Sequence, residues 1–214
     1  MTGASELEKY ILDHISDEER FLTELDRETN LTVLRARMLS GHLQGKILSM
    51  ISAMIAPCTI LEIGTFTGYS AICLAQGLKS GGHLHTFELN DELEQIAGKY
   101  FRKAGLDKVI TQHIGNALYL VPRMETMFEL VFIDGDKREY PDYYEMVFSK
   151  VPVGGYIIAD NTLWSGKVLD EPEHNDEQTK GILAFNEMIK SDSRVEKVIL
   201  PIRDGMTIIR KISE

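Results

Sequence analysis

The chain has 214 residues, of which 43% are hydrophobic and 26% are charged, a composition typical of one soluble domain spanning residues 1–214. Its 33 acidic residues outnumber its 23 basic ones, and the net charge of −10 disfavours nucleic acid as a partner. No apolar run approaches the ~20 residues that span a bilayer, and residues 1–8 lack the basic and apolar regions of a secretory signal. We therefore expect a cytoplasmic protein without a membrane partner.

Three helices are predicted before the first strand. Residues 5–30 have the apolar spacing of two amphipathic helices, and the pair Ser16 and Glu19 predicts a capping box at the start of the second. A third helix is expected at residues 42–55, where a nearby proline ends the helical pattern. The segment between the second and third helices, residues 35–41, is polar and flexible in character.

The stretch T-I-L-E-I-G-T-F-T-G-Y-S, residues 59–70, predicts a buried strand, a glycine turn and the start of a helix. Glu62 interrupts the apolar strand, and a buried carboxylate needs a ligand or a cation as its partner. Gly64 and Gly68 permit tight turns and a close approach of the backbone to a ligand. This order of elements opens a nucleotide-binding α/β unit. The glycine spacing differs from the G-x-G-x-x-G of dinucleotide binders and from a phosphate-binding P-loop.

Strands and helices then alternate along the chain. Seven strands are predicted, at residues 60–63, 83–87, 109–114, 130–133, 156–159, 195–200 and 206–210. Such alternation implies a mostly parallel sheet with helices on both faces, which is an α/β fold. The last two strands are joined by residues 201–205, too few for a crossover helix, and they are therefore expected to form an antiparallel hairpin.

Polar or small residues stand where the first five strands end, and ligands of such sheets bind at these carboxyl ends. The residues are Glu62, Gly64, Glu88, Gly115, Asn116, Ala117, Asp134, Gly135, Asp136, Lys137, Asp160 and Asn161. Glu88 follows Glu62 by 26 residues, close to the ~20-residue distance at which an acid hydrogen-bonds ribose hydroxyls. We therefore predict a nucleotide-like cofactor at this edge of the sheet.

Asp134, Asp160 and Asn161 offer oxygen ligands only, from neighbouring strand ends. That ligand set suits a hard cation, Mg²⁺ before Ca²⁺ or Mn²⁺, and three ligands leave coordination positions for water or substrate. Lys137 lies three residues after Asp134, and a lysine beside a bound cation gives up its proton more readily and can act as a base.

Four stretches carry a resemblance to a known family: L-E-I-G-T-F-T-G-Y-S, F-I-D-G-D-K, A-D-N-T-L-W-S-G and L-P-I-R-D-G-M-T-I-I-R-K-I. Over residues 38–212 the chain resembles a bacterial member of the cation-dependent O-methyltransferases that use S-adenosylmethionine, the caffeoyl-CoA and catechol O-methyltransferase group. The resemblance implies a Rossmann-like class I methyltransferase fold and a homodimer. It also implies that residues 1–56 form N-terminal helices and a cofactor lid on a core of residues 57–214.

The resemblance assigns roles to individual positions. The metal ligands that it implies are Asp134, Asp160 and Asn161. The catalytic residues are Lys137 and Asp134. The residues implied to bind S-adenosylmethionine are Ser40, Glu62, Gly64, Thr65, Ser70, Glu88, Ala117, Asp134 and Asp136. Met38, Tyr140 and Trp164 could wall an aromatic acceptor, and Ser165 falls where plant members have an asparagine that contacts substrate.

The expected reaction is therefore methylation of one of two neighbouring hydroxyls on a small aromatic acceptor. The sequence leaves open a free catechol or a caffeoyl ester, and meta or para transfer. Two other functions also stay open, a nicotinamide-dependent oxidoreductase on a similar fold and a non-catalytic cofactor-binding module. The missing dinucleotide motif argues against the first, and the intact metal ligands with Lys137 argue against the second.

Overall fold

Seven strands form one continuous sheet in this computed structural model, which describes residues 6–214. The strands are β1 (Thr59–Ile63), β2 (His83–Glu88), β3 (Ile110–Ile114), β4 (Leu130–Ile133), β5 (Tyr156–Asp160), β6 (Val195–Leu200) and β7 (Met206–Lys211). Their order across the sheet is β3-β2-β1-β4-β5-β7-β6. β7 runs antiparallel to both of its neighbours, while the other six strands share one direction. The predicted sheet with its antiparallel hairpin strand is confirmed.

The α-helices of the described residues are α1 (Glu6–His14), α2 (Arg20–Thr32), α3 (Gly41–Ile55), α4 (Tyr69–Ala75), α5 (Glu94–Lys103), α6 (Ala117–Leu120), α7 (Tyr140–Phe148) and α8 (Glu177–Ser191). Short 3-10 helices add Ala36–Met38, Asp91–Leu93, Val121–Arg123, Lys137–Glu139 and Trp164–Leu169. The first helix was expected to start at residue 5, which lies outside the described residues. No helix within residues 6–214 is long and apolar enough to cross a membrane.

Helices cover both faces of the sheet because alternate strand residues point to opposite sides. On one face, Ile60, Leu84 and Phe132 pack with buried residues of α2, α3, α4 and α5. On the other face, Leu61 and Val131 pack with buried residues of α6, α7 and α8. Each fully buried Leu or Phe contributes about 1.5–3 kcal/mol, so this two-sided burial fixes the central strands and the loops at their carboxyl ends.

The predicted capping box at the start of α2 is wrong. The helix begins at Arg20, and the preceding Glu19 is extended, with no hydrogen bond from its side chain to the helix end. Ser16 lies further upstream, where its carbonyl oxygen accepts a hydrogen bond from His42 Nε2 at 2.9 Å. The start of α2 is set instead by Leu22 and Leu25, which are buried in the hydrophobic cluster on one face of the sheet, where α2 contacts α4 and α5.

The turn between β6 and β7, residues 201–205, lies against the loop that follows β5. Thr162 N donates to Gly205 O at 3.1 Å and Leu163 N donates to Asp204 O at 2.9 Å. The antiparallel hairpin thus brings a distant part of the chain to the edge of the sheet at which β1, β2, β4 and β5 end.

Candidate active site

Gly64 brings the end of β1 against the end of β4. Its φ is +103°, and a Cβ built on it would lie 2.3 Å from the carbonyl oxygen of Asp134. No other residue type fits there without moving backbone, because that contact is to a main-chain atom. Thr65 and Ser70, on either side of the turn, are buried. The glycine turn therefore keeps Asp134 close to the start of α4.

Glu62 is fully buried at the end of β1. Its Oε2 accepts a hydrogen bond from Thr86, and Thr86 in turn lies 2.5 Å from the hydroxyl of Thr65. Oε1 has no hydrogen-bond partner among the described residues. Burial raises the pKa of Glu62 to about 8, and the nearby charges of Asp134 and Glu88 add to the rise, while the hydroxyls of Ser70 and Thr86 oppose it. A buried carboxylate with one unused oxygen suits a ligand that carries a cationic donor, such as an α-ammonium group.

Glu88 ends β2 beside the glycine turn. One carboxylate oxygen accepts a hydrogen bond from Phe66 N at 2.8 Å, and the other accepts from Asn90 N at 3.0 Å. These two backbone donors fix the direction of the carboxylate, and each oxygen retains a lone pair for another donor. The half-buried acid can therefore hold two hydroxyl groups of a ribose.

Three predicted cofactor residues occupy different positions around this edge. Ala117 is buried at the start of α6, where Asn116 caps the helix by accepting from Leu118 N at 2.8 Å. Ser40 is buried directly before α3. Asp136 pairs with Arg138, and this hydrogen-bonded guanidinium lowers the pKa of Asp136. The Asp136 carboxylate is thus already paired with Arg138, and its contact with the cofactor stays a prediction.

Lys137 is buried between the two predicted metal-binding strand ends. Its Nζ donates to Asp134 Oδ1 at 2.7 Å and to the hydroxyl of Tyr140 at 2.6 Å. The Tyr140 hydroxyl donates onward to the carbonyl oxygen of Asp160 at 2.9 Å. Burial holds the pKa of Tyr140 well above its usual value, so this hydroxyl keeps its proton and stays a donor. Lys137, Asp134 and Asp160 are thereby held in one cluster.

Asp160 is a buried carboxylate whose Oδ2 accepts a hydrogen bond from Gln44 Nε2 at 2.7 Å. Burial raises the pKa of Asp160 to about 6, and the charge of Asp134 contributes to the rise. Each of the two carboxylates has one oxygen held by a protein donor, and Lys137 supplies one positive charge against two negative ones. Hard oxygen donors with surplus negative charge are chemically suited to a divalent cation.

The residues predicted to meet an acceptor lie around this cluster. Asn161 follows Asp160 in the left-handed region at φ +57°, and Trp164 and Ser165 also have positive φ. Ser165 Oγ donates to Asp204 at 3.1 Å, and the buried Trp164 Nε1 has no partner within residues 6–214. Met38, on the short helix Ala36–Met38, is 53% exposed and accessible to a ligand. A contact between these side chains and an acceptor stays a prediction.

Three residues of this site were missed in the sequence, and a fourth was given a different role. Tyr140 was predicted only as a wall of the acceptor site; it is fully buried, and its hydroxyl accepts a hydrogen bond from Lys137. Thr86, which was not predicted, donates a hydrogen bond to Glu62. Gln44 and Arg203 meet across 159 positions of the chain, with Arg203 Nη1 donating to Gln44 Oε1 at 2.7 Å. No local pattern in the sequence indicates that contact.

Known proteins of similar sequence belong to one enzyme family. A sequence model of the O-methyltransferase family matches residues 12–212. A caffeoyl-CoA O-methyltransferase of Stellaria longipes is 30% identical, over 98% of this chain and 91% of that protein. A probable caffeoyl-CoA O-methyltransferase of Dictyostelium discoideum is 32% identical, over 95% of this chain and 90% of that protein.

Solved structures with a similar fold include O-methyltransferases. The O-methyltransferase TomG from Streptomyces achromogenes, in complex with SAM, superposes with a TM-score of 0.90 at 27% identity, covering 98% of this chain and 97% of that one. An O-methyltransferase from Bacillus cereus in complex with SAH superposes with a TM-score of 0.87 at 29% identity, covering 97% of both chains. The chain therefore belongs to the O-methyltransferase family, as an S-adenosylmethionine-dependent enzyme of the caffeoyl-CoA O-methyltransferase type.

Proposed function

We propose that the enzyme methylates one hydroxyl of a vicinal aromatic diol, and that it requires a divalent cation, Mg²⁺ or else Mn²⁺ or Ca²⁺. One observation carries the proposal. Lys137 Nζ donates to Asp134 Oδ1 at 2.7 Å and to the Tyr140 hydroxyl, which donates to the backbone carbonyl of Asp160, so a single ammonium group lies at the two strand ends that carry these carboxylates. A divalent cation would balance the remaining charge.

The metal-binding residues of this proposal are Asp134, Asp160 and Asn161. A bound cation would act as a Lewis acid: it would lower the pKa of the acceptor hydroxyl and fix the position of that hydroxyl. Three protein oxygens are fewer than the six ligands that Mg²⁺ takes. An acceptor with two adjacent hydroxyls suits the remaining positions better than one with a single hydroxyl, and this is the reason for proposing a catechol-like ring.

The cofactor residues would hold a molecule with three polar parts. The unused oxygen of Glu62 suits the ammonium group of S-adenosylmethionine, and Glu88 suits its ribose hydroxyls. Gly64, Thr65 and Ser70 form the turn around the methionine part, and Ser40, Ala117, Asp134 and Asp136 complete the proposed set. The acidic surroundings also favour a sulfonium cation.

In the reaction, the methyl carbon–sulfur bond breaks as a carbon–oxygen bond forms, and the sulfur keeps the electron pair. The acceptor hydroxyl has to lose its proton, and we assign its removal to Lys137 Nζ as a neutral amine, the form that a divalent cation bound beside the lysine would favour. Asp134 and Tyr140 hold that nitrogen in place by accepting its hydrogen bonds. Alignment of the acceptor is the other requirement of a displacement, and Trp164, Met38 and Ser165 are the proposed walls of its site.

Either a free catechol or a caffeoyl ester fits these requirements, and the relatives named caffeoyl-CoA O-methyltransferases support the ester. A methylation screen with Mg²⁺ that compares free catechols with their CoA thioesters would separate these acceptors. Transfer to monophenols at the same rate as to catechols would contradict the proposed role of the second hydroxyl.

The cation requirement is tested by chelation and by Asp160→Ala. The variant removes one ligand and one negative charge, so the acceptor hydroxyl should keep its proton and activity should fall by at least about 10²-fold. Affinity for S-adenosylhomocysteine should change little, because Glu62 and Glu88 remain. EDTA should abolish wild-type activity and Mg²⁺ should restore it. The exposed Asp142→Ala variant is the matched control. Full activity after exhaustive chelation would overturn the cation-dependent mechanism.

We also propose a homodimer, on the resemblance to the family alone. Light scattering at micromolar concentration should give about twice the mass of one 24.2 kDa chain. A mass equal to one chain would refute this proposal.

A further inference from the structure

Arg203 connects the β6–β7 turn to the segment that precedes α3. Its backbone lies in the left-handed region at φ +49°, a conformation that costs a non-glycine residue about 1–3 kcal/mol. Its guanidinium donates to the carbonyl oxygens of Leu39 and Ser40 and to Gln44 Oε1. Such strain persists only where surrounding contacts compensate for it, and these hydrogen bonds supply that compensation.

Gln44 connects Arg203 to Asp160, because it is hydrogen-bonded to both side chains. A guanidinium can only donate hydrogen bonds and a carboxylate can only accept them, so an amide between the two must turn its oxygen to the first and its nitrogen to the second. The structure has that orientation, with 2.7 Å from Arg203 Nη1 to Gln44 Oε1 and 2.7 Å from Gln44 Nε2 to Asp160 Oδ2. Gln44 and Asp160 are both buried, at 1% and 4% exposure, so water does not compete for these bonds.

We propose that Arg203 and Gln44 are positioning residues for Asp160: they hold one carboxylate oxygen so that the other faces the cation. This inference rests on the proposed cation-dependent function. A guanidinium bound directly to Asp160 would compete with a cation for the same negative charge. The neutral amide avoids that competition, because it orients the carboxylate and leaves its charge available.

The same turn holds the loop on the other side of the cation site. Asp204 O accepts from Leu163 N at 2.9 Å and from Trp164 N at 3.2 Å, and the Asp204 side chain accepts from Ser165. Gly205 has φ +89°, and a Cβ on it would lie 2.7 Å from Leu163 N. The turn therefore fixes the loop that bears Asn161 and, through Arg203, the orientation of Asp160. Two of the three proposed ligands depend on it.

The test is cation affinity, measured with Mn²⁺ by electron paramagnetic resonance in the presence of S-adenosylhomocysteine. Gln44→Met keeps the length of the side chain and removes its amide, while Arg203→Leu removes the guanidinium. Each variant should weaken Mn²⁺ binding by about tenfold or more, as loss of a hydrogen bond to a metal ligand generally does. The double variant should bind no more weakly than the worse single one, since both act through the same bond to Asp160.

Matched controls are Arg210→Leu, which removes an exposed arginine of β7 paired with Glu196, and Gln76→Leu, which removes an exposed glutamine. Both should leave Mn²⁺ affinity unchanged. Arg203→Lys retains one charged donor and should restore part of the lost affinity. Thermal unfolding of every variant separates a loss of cation affinity from a loss of fold, and Gln44→Leu replaces Gln44→Met if the latter does not fold.

The possible failures are distinguishable. If the wild type binds no Mn²⁺, both the proposed function and this inference are overturned. If the wild type binds Mn²⁺ and the folded Gln44 and Arg203 variants bind it within twofold of wild type, only the positioning role is overturned. Fully additive effects in the double variant would contradict the connection of Arg203 to Asp160 through Gln44.

Discussion

At the scale of single residues, the carboxylate of Glu88 connects two segments of the proposed cofactor site. It accepts from the backbone of Phe66 in the glycine turn and from the backbone of Asn90 after β2. Glu88→Ala should weaken S-adenosylhomocysteine binding by more than about tenfold, because hydrogen bonds to a charged acceptor contribute about 1.5–3 kcal/mol. Calorimetry gives the affinity directly.

The control for this prediction is Glu92→Ala, which removes an exposed acid four residues further along the chain. It should leave the affinity close to that of the wild type. An unchanged affinity in Glu88→Ala would remove Glu88 from the cofactor site.

Lys137 is the residue whose chemical role is easiest to separate from cofactor binding. Lys137→Ala should lower kcat by about 10²–10⁴-fold, the usual contribution of a general base, with little change in S-adenosylhomocysteine affinity. Tyr140→Phe removes one of the two groups that hold Nζ, and its loss of kcat should be smaller. Lys180→Ala, at an ion pair outside the site, is the control. Turnover of Lys137→Ala within about twofold of wild type from pH 6 to 9 would exclude the base role.

At the scale of elements, the sequence predicted the strands well because a buried strand is a short run of apolar residues, a pattern that can be read locally. The run of β4, L-V-F-I, is fully buried and has no polar member. Helix starts were less predictable, because the Ser16–Glu19 pattern is short and the packing of Leu22 and Leu25 decides where α2 begins. The four-residue helix α6 was also missed, since a single turn carries too few residues to show a period.

The candidate site also contains residues that the sequence indicates and residues that it does not. Acids at strand ends, such as Glu62 and Asp160, were identified because each interrupts an apolar run. Gln44 and Arg203 were not, because their contact depends on how a helix and a hairpin turn pack across the sheet edge. The positions of the acids at the strand ends were thus predictable, while the contacts that orient Asp160 are visible only in the fold.

Gly64 provides a test of how one turn places two strands. Gly64→Ala puts a Cβ 2.3 Å from the carbonyl oxygen of Asp134, so β1 and β4 must separate. Gly81→Ala is a matched control, because Gly81 also has positive φ, +79°, but a Cβ there meets nothing within 4 Å. The control should lose only the ~1–2 kcal/mol of left-handed backbone strain. Gly64→Ala should lose more stability in urea unfolding and should also weaken S-adenosylhomocysteine binding. Equal losses in both variants would contradict the close-approach role.

At the scale of the whole molecule, backbone strain is concentrated around the site. Among the non-glycine residues with positive φ in the described chain, Phe66, Asn161, Trp164, Ser165 and Arg203 lie in the loops that form it. Each such conformation costs about 1–3 kcal/mol, and the two-sided core of the sheet has to offset the sum. Stability from the core therefore offsets the backbone strain of the loops at one edge of the sheet.

Buried charge at this edge should also shape the pH dependence of stability. Without a ligand, the pKa of Glu62 is about 8 in the folded protein, raised by burial from its usual 4.5. Between these values the folded state holds a proton that the unfolded state releases, so the free energy of unfolding falls as the pH rises. The raised pKa of Asp160, about 6, acts in the same direction but only below neutral pH. The lowered pKa of His85, about 4, acts in the opposite direction and only below its usual 6.5.

Glu62 should therefore dominate this dependence from pH 6.5 to 8. In urea unfolding with EDTA and no cofactor, wild-type stability should fall by about 1–2 kcal/mol across that interval, since a full proton corresponds to ~1.4 kcal/mol per pH unit. Glu62→Gln resembles the protonated acid and cannot ionise, so its stability should stay level over the same interval. Glu92→Gln, at an exposed acid, should keep the wild-type slope. A flat wild-type profile would contradict the raised pKa of Glu62, and a slope that persists in Glu62→Gln would assign the pH dependence to other groups.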